Sequence, residues 1–330
     1  MKMSTSTIAR MALCLMVIAT ANANDIQEFA KGAPAIPPGF KNNDEVKTAL
    51  ITGKVKLIKP PAELPASITV EKDVQYGVGG DTPLLLDIYS PKEIKKPVPA
   101  LIFIHGGGWK GGDKKSYSPY TIAYAEKGYV AATILYRKVP KALFPAPVED
   151  AKCAVRWMRA NAKKYNVDPN KIAVLGGSAG GHLSMMVAYS DDPKLEGNGG
   201  HADQSSRVQA VVNLYGVPDM TGALAANSPE CTGFIGKPQA EAMDLYALAS
   251  PITHITKDDP PTLSFHGTID DLIPPAETEN LHKKLEDAGV PNAYSIIEGW
   301  PHTMDAAVEV NAYCRYVIDR FLEKYLPLPK

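Results

Sequence analysis

The sequence has few cysteines and no excess of charge of either sign, and both shortages exclude whole classes of protein. Four cysteines in 330 residues cannot build a disulfide framework. Lysine and arginine number 35 against 36 aspartates and glutamates, which argues against a nucleic acid or an anionic membrane surface as a partner. The cysteines beyond residue 23 have no histidine or cysteine neighbour at zinc spacing, so we expect no metal and no cofactor.

Long apolar runs are also scarce, and the sequence has one that matters, at its amino terminus. The apolar residues 11–19 follow Lys2 and Arg10 and precede an A-x-A cleavage pattern that ends at Ala23. This run is too short to span a bilayer but is typical of a secretory signal peptide. We therefore predict that residues 1–23 are a signal peptide, that the mature protein is exported to the periplasm or the medium, and that it has no stable membrane anchor.

Export gives the three remaining cysteines an oxidising environment, and their odd number allows at most one internal bridge. Cys153 falls in an amphipathic helical pattern and is predicted to be a buried free thiol. Cys231 lies in an irregular segment and Cys314 in the last helix. A disulfide between Cys231 and Cys314 is therefore predicted as a possible staple.

The strongest positive signal is the G-x-S-x-G pattern over residues 176–180. It follows the apolar residues 172–175, which are typical of a buried strand, and it precedes a helical pattern that begins near Ala179. A serine on so sharp a turn between strand and helix has its hydroxyl exposed at the edge of the sheet. Ser178 is therefore the predicted nucleophile.

A second glycine-rich turn, the H-G-G-G-W stretch over residues 105–109, follows another apolar strand at residues 98–104. Glycines at a strand end let backbone amides approach a ligand closely. One oxyanion donor is expected from the residue after the nucleophile, the amide of Ala179, and a second from this loop.

An acid and a base must follow the serine in that order. Asp270 lies in the loop after the predicted strand 261–266, and His302 in the loop after the strand 293–297. Asp271 is the main alternative acid, and Asp219 is a weaker one. The other histidines are assigned to structural or solvated positions: His105 and His266 lead loops at strand ends, His182, His201 and His254 precede the acid, and His282 is expected on the solvated face of an amphipathic helix.

Three stretches taken together, H-G-G-G-W, G-G-S-A-G-G-H and H-G-T-x-D-x-x-x-P, resemble the hormone-sensitive-lipase-like and feruloyl-esterase-like carboxylesterases of the α/β-hydrolase superfamily. The resemblance covers roughly residues 70–326. It implies a catalytic triad of Ser178, Asp270 and His302, with oxyanion amides from Gly106, Gly107 and Ala179. His302 stands in Gly-Trp-Pro-His-Thr, whereas the commoner pattern of the family is Gly-x-x-His-Gly/Ala. The resemblance therefore does not identify the substrate.

The order of elements predicts one α/β domain. Residues 24–66 are rich in proline and lysine and are expected to form an arm or linker, with the hydrolase domain over residues 67–330. Two antiparallel strands are followed by alternating strands and helices, which predicts a mostly parallel central sheet of about eight strands with helices on both faces. Residues 219–250 break the alternation and are expected to form a short cap.

We therefore expect an exported serine hydrolase that cleaves a small-molecule or polysaccharide-linked carboxylic ester. Trp109 and Trp300 flank the predicted site and are candidate substrate-binding residues. Two alternatives stay open. An arylformamidase-like amidase would use the same triad, and a catalytically silent hydrolase fold would serve in binding alone. The sequence does not indicate an oligomeric state.

Overall fold

The computed structural model describes residues 25–330, so the predicted signal peptide lies outside the described residues. The described part contains eight strands: β1 Ile68–Gly79, β2 Thr82–Pro91, β3 Val98–Ile104, β4 Val130–Leu135, β5 Val167–Gly177, β6 Ala210–Leu214, β7 Thr262–Gly267 and β8 Asn292–Ile297. The helices are α1 Asp25–Ala30, α2 Asn43–Ile51, α3 Ser118–Glu126, α4 Ala146–Ala160, α5 Ala162–Tyr165, α6 Ala179–Tyr189, α7 Ala223–Ala226, α8 Pro229–Ile235, α9 Met243–Leu248, α10 Ala276–Asp287 and α11 Val308–Tyr325.

The strands form a single sheet in the order β1-β2-β4-β3-β5-β6-β7-β8. The pairs β1–β2 and β2–β4 are antiparallel, and all the other pairs are parallel. The predicted mostly parallel sheet of eight strands is confirmed. All seven residues of β3 are buried, as expected of a central strand covered by helices on both faces.

Two apolar clusters cover the two faces of the sheet. We name one after the predicted cap, residues 219–250, and the other after the amino-terminal arm, residues 25–66. The cap-side cluster includes residues of α4, α6, α10 and the segment 219–250. The arm-side cluster includes residues of α3 and α11 together with Phe29 and Val55 of the amino-terminal arm. In α11 the buried positions recur at the spacing of one helix face, namely Val310, Asn311, Cys314, Val317, Ile318, Phe321 and Leu322.

The amino-terminal arm contains α1 and α2, which the proline-rich composition did not predict. Phe29 of α1 packs edge-on against Phe321 of α11, with ring centroids 5.8 Å apart. The side chain of Asn42 caps α2 by accepting hydrogen bonds from the amides of Asp44 and Glu45. Residues 25–66 therefore lie against the arm-side face of the domain.

The predicted disulfide between Cys231 and Cys314 is wrong, because both cysteines are free and buried, as is Cys153. Cys231 lies in the cap-side cluster and Cys314 in the arm-side cluster. The central sheet separates the two clusters, and cysteines held on its opposite faces cannot reach the short Cβ separation that a disulfide needs.

Candidate active site

Ser178 stands on the turn that joins β5 to α6. Its backbone has φ 55° and ψ −123°, a conformation that residues other than glycine rarely adopt. Two hydrogen bonds fix the turn: the Ser178 amide donates to the Leu214 carbonyl at 2.8 Å, and the Ser178 carbonyl accepts from the His182 amide at 3.0 Å. The surrounding structure thus holds a strained serine at the edge of a cavity of about 750 Å³.

Close backbone contacts explain the glycines on either side of the serine. A Cβ atom on Gly180 would lie 2.0 Å from the carbonyl oxygen of Ile104, and one on Gly106 would lie 2.7 Å from the carbonyl oxygen of Gly177. Any larger residue would push the ends of β3 and β5 apart. The absence of side chains at these positions brings the glycine-rich loop directly against the nucleophile turn.

The predicted oxyanion donors are gathered beside the serine. Gly106, Gly107 and Ala179 all line the same cavity as Ser178. Ala179 is the first residue of α6, so its amide has no carbonyl partner within the helix. Gly107 has φ 110°, which favours glycine, and its carbonyl accepts from the Gly111 amide at 2.8 Å, which tightens the loop.

His105 holds this loop in place through a ring stack and a hydrogen bond. Its ring stacks on Tyr136 at a centroid distance of 4.3 Å, and its Nδ1 atom lies 2.8 Å from the Gly106 carbonyl oxygen. Burial lowers the pKa of His105 to about 4. The ring is therefore neutral near pH 7 and donates from Nδ1 to that carbonyl, in agreement with the hydrogen-bonding role expected from the sequence.

The predicted acid and the predicted base meet because β7 and β8 are parallel neighbours. Gly267 lies opposite Ile297, so the loops that follow these strands leave the sheet at the same edge. His302 Nδ1 lies 2.6 Å from Asp270 Oδ2. Asp271 is exposed, and no bond of this kind joins it to a histidine within the described residues.

Asp270 is held as an anion by several donors. Its Oδ1 accepts from the amides of Leu272 and Ile273, each at 2.9 Å, and its Oδ2 also lies 3.0 Å from His266 Nε2. Burial alone would raise the pKa of Asp270, but the hydrogen bonds from His266 and His302 hold it well below its usual range. An ionised carboxylate only accepts, so the ring nitrogen of His302 that faces Asp270, Nδ1, is the donor of this hydrogen bond.

Two residues near the base were missed from the sequence, Tyr215 and Asp305. The Tyr215 ring lies edge-on to the His302 ring, with centroids 4.6 Å apart. The Tyr215 hydroxyl donates to the buried carboxylate of Asp305, which also accepts from the Tyr120 hydroxyl at 2.8 Å. Tyr215 has φ 44°, a second strained residue at this sheet edge. The position of Asp305, three residues after His302, was the one available sequence signal.

The two tryptophans behave differently. Trp109 lines the cavity, although it is almost fully buried, and its ring stacks on Phe234 at 4.4 Å while Nε1 donates to His182 Nδ1 at 3.2 Å. Trp300 does not line the cavity, so its assignment as a substrate-binding residue is wrong. It packs against Phe40 of the arm, because the tight backbone contact between Phe40 and Gly299 turns the loop in that direction.

One other histidine differs from expectation. His282 was placed on a solvated helix face, but it is buried, its Nδ1 lies 2.8 Å from Asn292 Oδ1, and its ring packs on Tyr294. The start of β8 covers this face of α10. The pattern of charged residues in the helix gave no signal of that neighbour.

Comparison with known proteins agrees with this geometry. The model of the BD-FAE family matches residues 86–285, which is more than half of the chain. The chain is 33% identical over 261 residues to a probable carboxylic ester hydrolase, LipM, of Mycobacterium tuberculosis, covering 76% of this chain and 60% of that protein. It is 32% identical to esterase LipQ of the same organism, covering 73% and 58%. The chain thus spans about 60% of the length of these curated relatives.

Solved structures are similar over more of their length. A truncated carbohydrate esterase from gut microbiota has a TM-score of 0.69 and 30% identity, covering 80% of this chain and all of that one. The propionate-bound esterase Est2 of Thermogutta terrifontis has a TM-score of 0.69 and 28% identity, covering 83% and 100%. The sheet, the nucleophile turn and the family match lead to one conclusion: this chain belongs to the BD-FAE family and has the α/β-hydrolase fold.

Proposed function

We propose that this protein is an exported serine carboxylesterase that works through an acyl-enzyme. The observation that carries the proposal is the 2.6 Å contact between His302 Nδ1 and Asp270 Oδ2, at the edge of a cavity that Ser178 and His302 both line. The names of the relatives, carboxylic ester hydrolase and esterase, support ester cleavage. The intact set of nucleophile, base, acid and oxyanion glycines argues against a silent binding protein.

In the proposed cycle Ser178 Oγ attacks the ester carbonyl carbon while its proton passes to His302 Nε2. The negative oxygen of the tetrahedral intermediate accepts from the amides of Ala179 and of Gly106 or Gly107, each of which contributes a factor on the order of 10² to 10³ in rate. The carbon–oxygen bond to the alcohol then breaks, and His302 returns its proton to the departing oxygen. Water attacks the acyl-enzyme by the same route and releases the acid and free Ser178.

The test is hydrolysis of p-nitrophenyl acetate by the folded protein and by Ser178→Ala. We expect the wild type to turn over and the variant to lose at least about 10⁴-fold in kcat with an unchanged circular dichroism spectrum. Hydrolysis retained in Ser178→Ala would overturn the nucleophile assignment. A folded wild type that cleaves an aryl formamide but no ester would overturn the ester assignment.

Export is proposed from residues 1–23 alone. Among the helices of residues 25–330, none combines the length and the hydropathy that a membrane span requires. Expression of the full chain in a Gram-negative host, followed by fractionation and amino-terminal sequencing, tests the proposal. Mature protein that begins near Asn24 in the periplasm supports it, whereas an intact chain in the cytosol contradicts it.

A further inference from the structure

The amino-terminal arm is paired through backbone hydrogen bonds with the loop that carries His302. Leu57 forms an antiparallel bridge with Ala307. The Ile58 amide donates to the Ala306 carbonyl at 2.8 Å, and the Val308 amide donates to the carbonyl of the residue before Leu57 at 2.9 Å. These backbone bonds place a short extended piece of the arm beside the residues that follow His302.

The same piece of the arm forms part of the cavity wall. Leu57, Ile58 and Pro60 line the cavity together with Ser178. Leu57 is 50% exposed, although the backbone on either side of it is fixed by pairing with the segment 306–308. An exposed leucine at the mouth of a catalytic cavity is available to contact substrate.

The cavity has two walls that belong to opposite faces of the sheet. Trp109, Val217 and Cys231 belong to the cap-side cluster, and Leu224 of α7 packs against that cluster. On the other side, Ile58 packs against the arm-side cluster, to which Tyr117, Tyr120 and Tyr215 belong. Ser178 lies between the walls, so the two ends of an ester bound there extend toward different segments of the chain.

The chemistry assigns the two ends. The base must return its proton to the departing alcohol oxygen, so the alcohol lies on the side of His302. The His302 ring packs on Tyr215, and the loop after it carries Asp305, which bonds to Tyr120 and Tyr215 of the arm-side cluster. The arm-side wall is therefore the alcohol side.

We propose that Leu57 and Ile58 form a binding site for the alcohol part of the ester and favour a large apolar alcohol. This inference rests on the proposed esterase function. The side chains that the arm supplies to the cavity lining, those of Leu57, Ile58 and Pro60, are apolar. The segment lies outside residues 86–285, where the family model matches.

The experiment compares two ratios of kcat/KM in wild type and Leu57→Ala. The first ratio, 2-naphthyl acetate over phenyl acetate, varies the alcohol while the acyl group stays the same. The second, 2-naphthyl butyrate over 2-naphthyl acetate, varies the acyl group. We expect Leu57→Ala to lower the first ratio by about 5-fold and to leave the second within about 2-fold. The hydrolysis rate of the acetyl-enzyme should be unchanged, because the alcohol has left by then.

Two matched variants complete the design. Ile51→Ala removes an exposed arm side chain that does not line the cavity, and it should change neither ratio. Leu224→Ala shortens the cap-side wall and should change the acyl ratio rather than the alcohol ratio. A Leu57→Ala enzyme that matches Ile51→Ala, or that alters the acyl ratio, would overturn the inference while the esterase function stands. A wild type that hydrolyses none of these esters would overturn the esterase function and this inference with it.

Discussion

The two faces of the sheet support the site in different ways. On the cap side an aromatic stack of Trp109 and Phe234, joined to His182, holds the glycine-rich loop 105–108. On the arm side a buried carboxyl group, that of Asp305, holds Tyr215 against His302, the predicted base. The aromatic stack fixes the shape of a loop by close packing, so a cavity in the stack would let the loop move. The buried carboxyl group instead fixes the orientation of the Tyr215 ring through a hydrogen bond. The difference teaches that loop shape and base orientation depend on separate sets of residues.

The largest expected effect is at Asp270, which is hydrogen-bonded to His302. Replacing it by asparagine puts an amide where His302 needs an acceptor, so the ring adopts the wrong tautomer and kcat falls by about 10⁴-fold. Steady-state rates on p-nitrophenyl acetate measure the effect. Asp271→Asn is the matched control and should change kcat by less than about 2-fold. If Asp271→Asn is the more damaging of the two, the acid is misassigned.

The cap-side stack is tested by Phe234→Ala. Phe234 is fully buried between Trp109, His182 and Phe144, so the variant leaves a cavity and should lose about 3–5 kcal/mol of unfolding free energy. Urea denaturation measures the loss. Leu245→Ala removes a partly exposed apolar side chain of the same segment, residues 219–250, and should cost less than about 1 kcal/mol. Equal losses of unfolding free energy in the two variants would show that the aromatic stack adds no stability beyond that of an exposed apolar side chain.

A buried histidine on the cap-side face, His282, should make the unfolding free energy of the protein depend on pH. Burial lowers the pKa of His282 to about 4, against about 6.5 in an unfolded chain. The unfolded chain therefore binds the extra proton first, and the contribution of His282 to stability is complete above pH 6.5 and declines toward pH 4, by up to about 1.4 kcal/mol per pH unit. The stability gap between wild type and His282→Gln should narrow over that range in urea titrations. A constant gap would contradict the burial argument.

The arm-side support is tested by Tyr215→Phe, which keeps the ring against His302 but removes its bond to Asp305. We expect kcat to fall by about 10-fold with KM nearly unchanged, because the base is less well oriented while the cavity is intact. Asp305→Asn should give the same split between kcat and KM. A rise in KM with normal kcat would mean that Tyr215 binds substrate rather than positions the base.

The smallest effect is expected from the cysteines, which the two faces keep apart. Alkylation of unfolded, unreduced protein that lacks residues 1–23 should label Cys153, Cys231 and Cys314 alike, and prior reduction should not change the mass. Labelling of only one thiol before reduction would reveal a bridge and contradict the separation of the clusters.

Much of the fold could be predicted because its signals are local. The buried strands are apolar runs, and the alternation of strands and helices favours parallel pairing. The strained turn at Ser178 is indicated by the glycines on both sides of it. The candidate acid and base followed from chain order, since each lies just after a strand and parallel strands end at one edge of the sheet. Export and the catalytic roles stay predictions.

What failed depends on neighbours that are distant in the chain. The cysteine pairing was wrong because the sequence does not say on which face of the sheet a helix packs. Trp300 was misassigned because a backbone contact with the arm turns it away from the cavity. His282 was misassigned because β8 covers the helix face that carries it. In each case the residue type fits both outcomes, and the surface that packs against it decides.

The sequence by itself determined the sheet, the nucleophile turn and the candidates for acid and base, because each depends on apolar periodicity or on a strand end. Only the tertiary structure decided the walls of the cavity and the Tyr215–Asp305 support. The arm reaches the base loop from more than 240 residues away in the chain, through the bridge between Leu57 and Ala307. Contacts of that range depend on how complete surfaces pack, which no local pattern records.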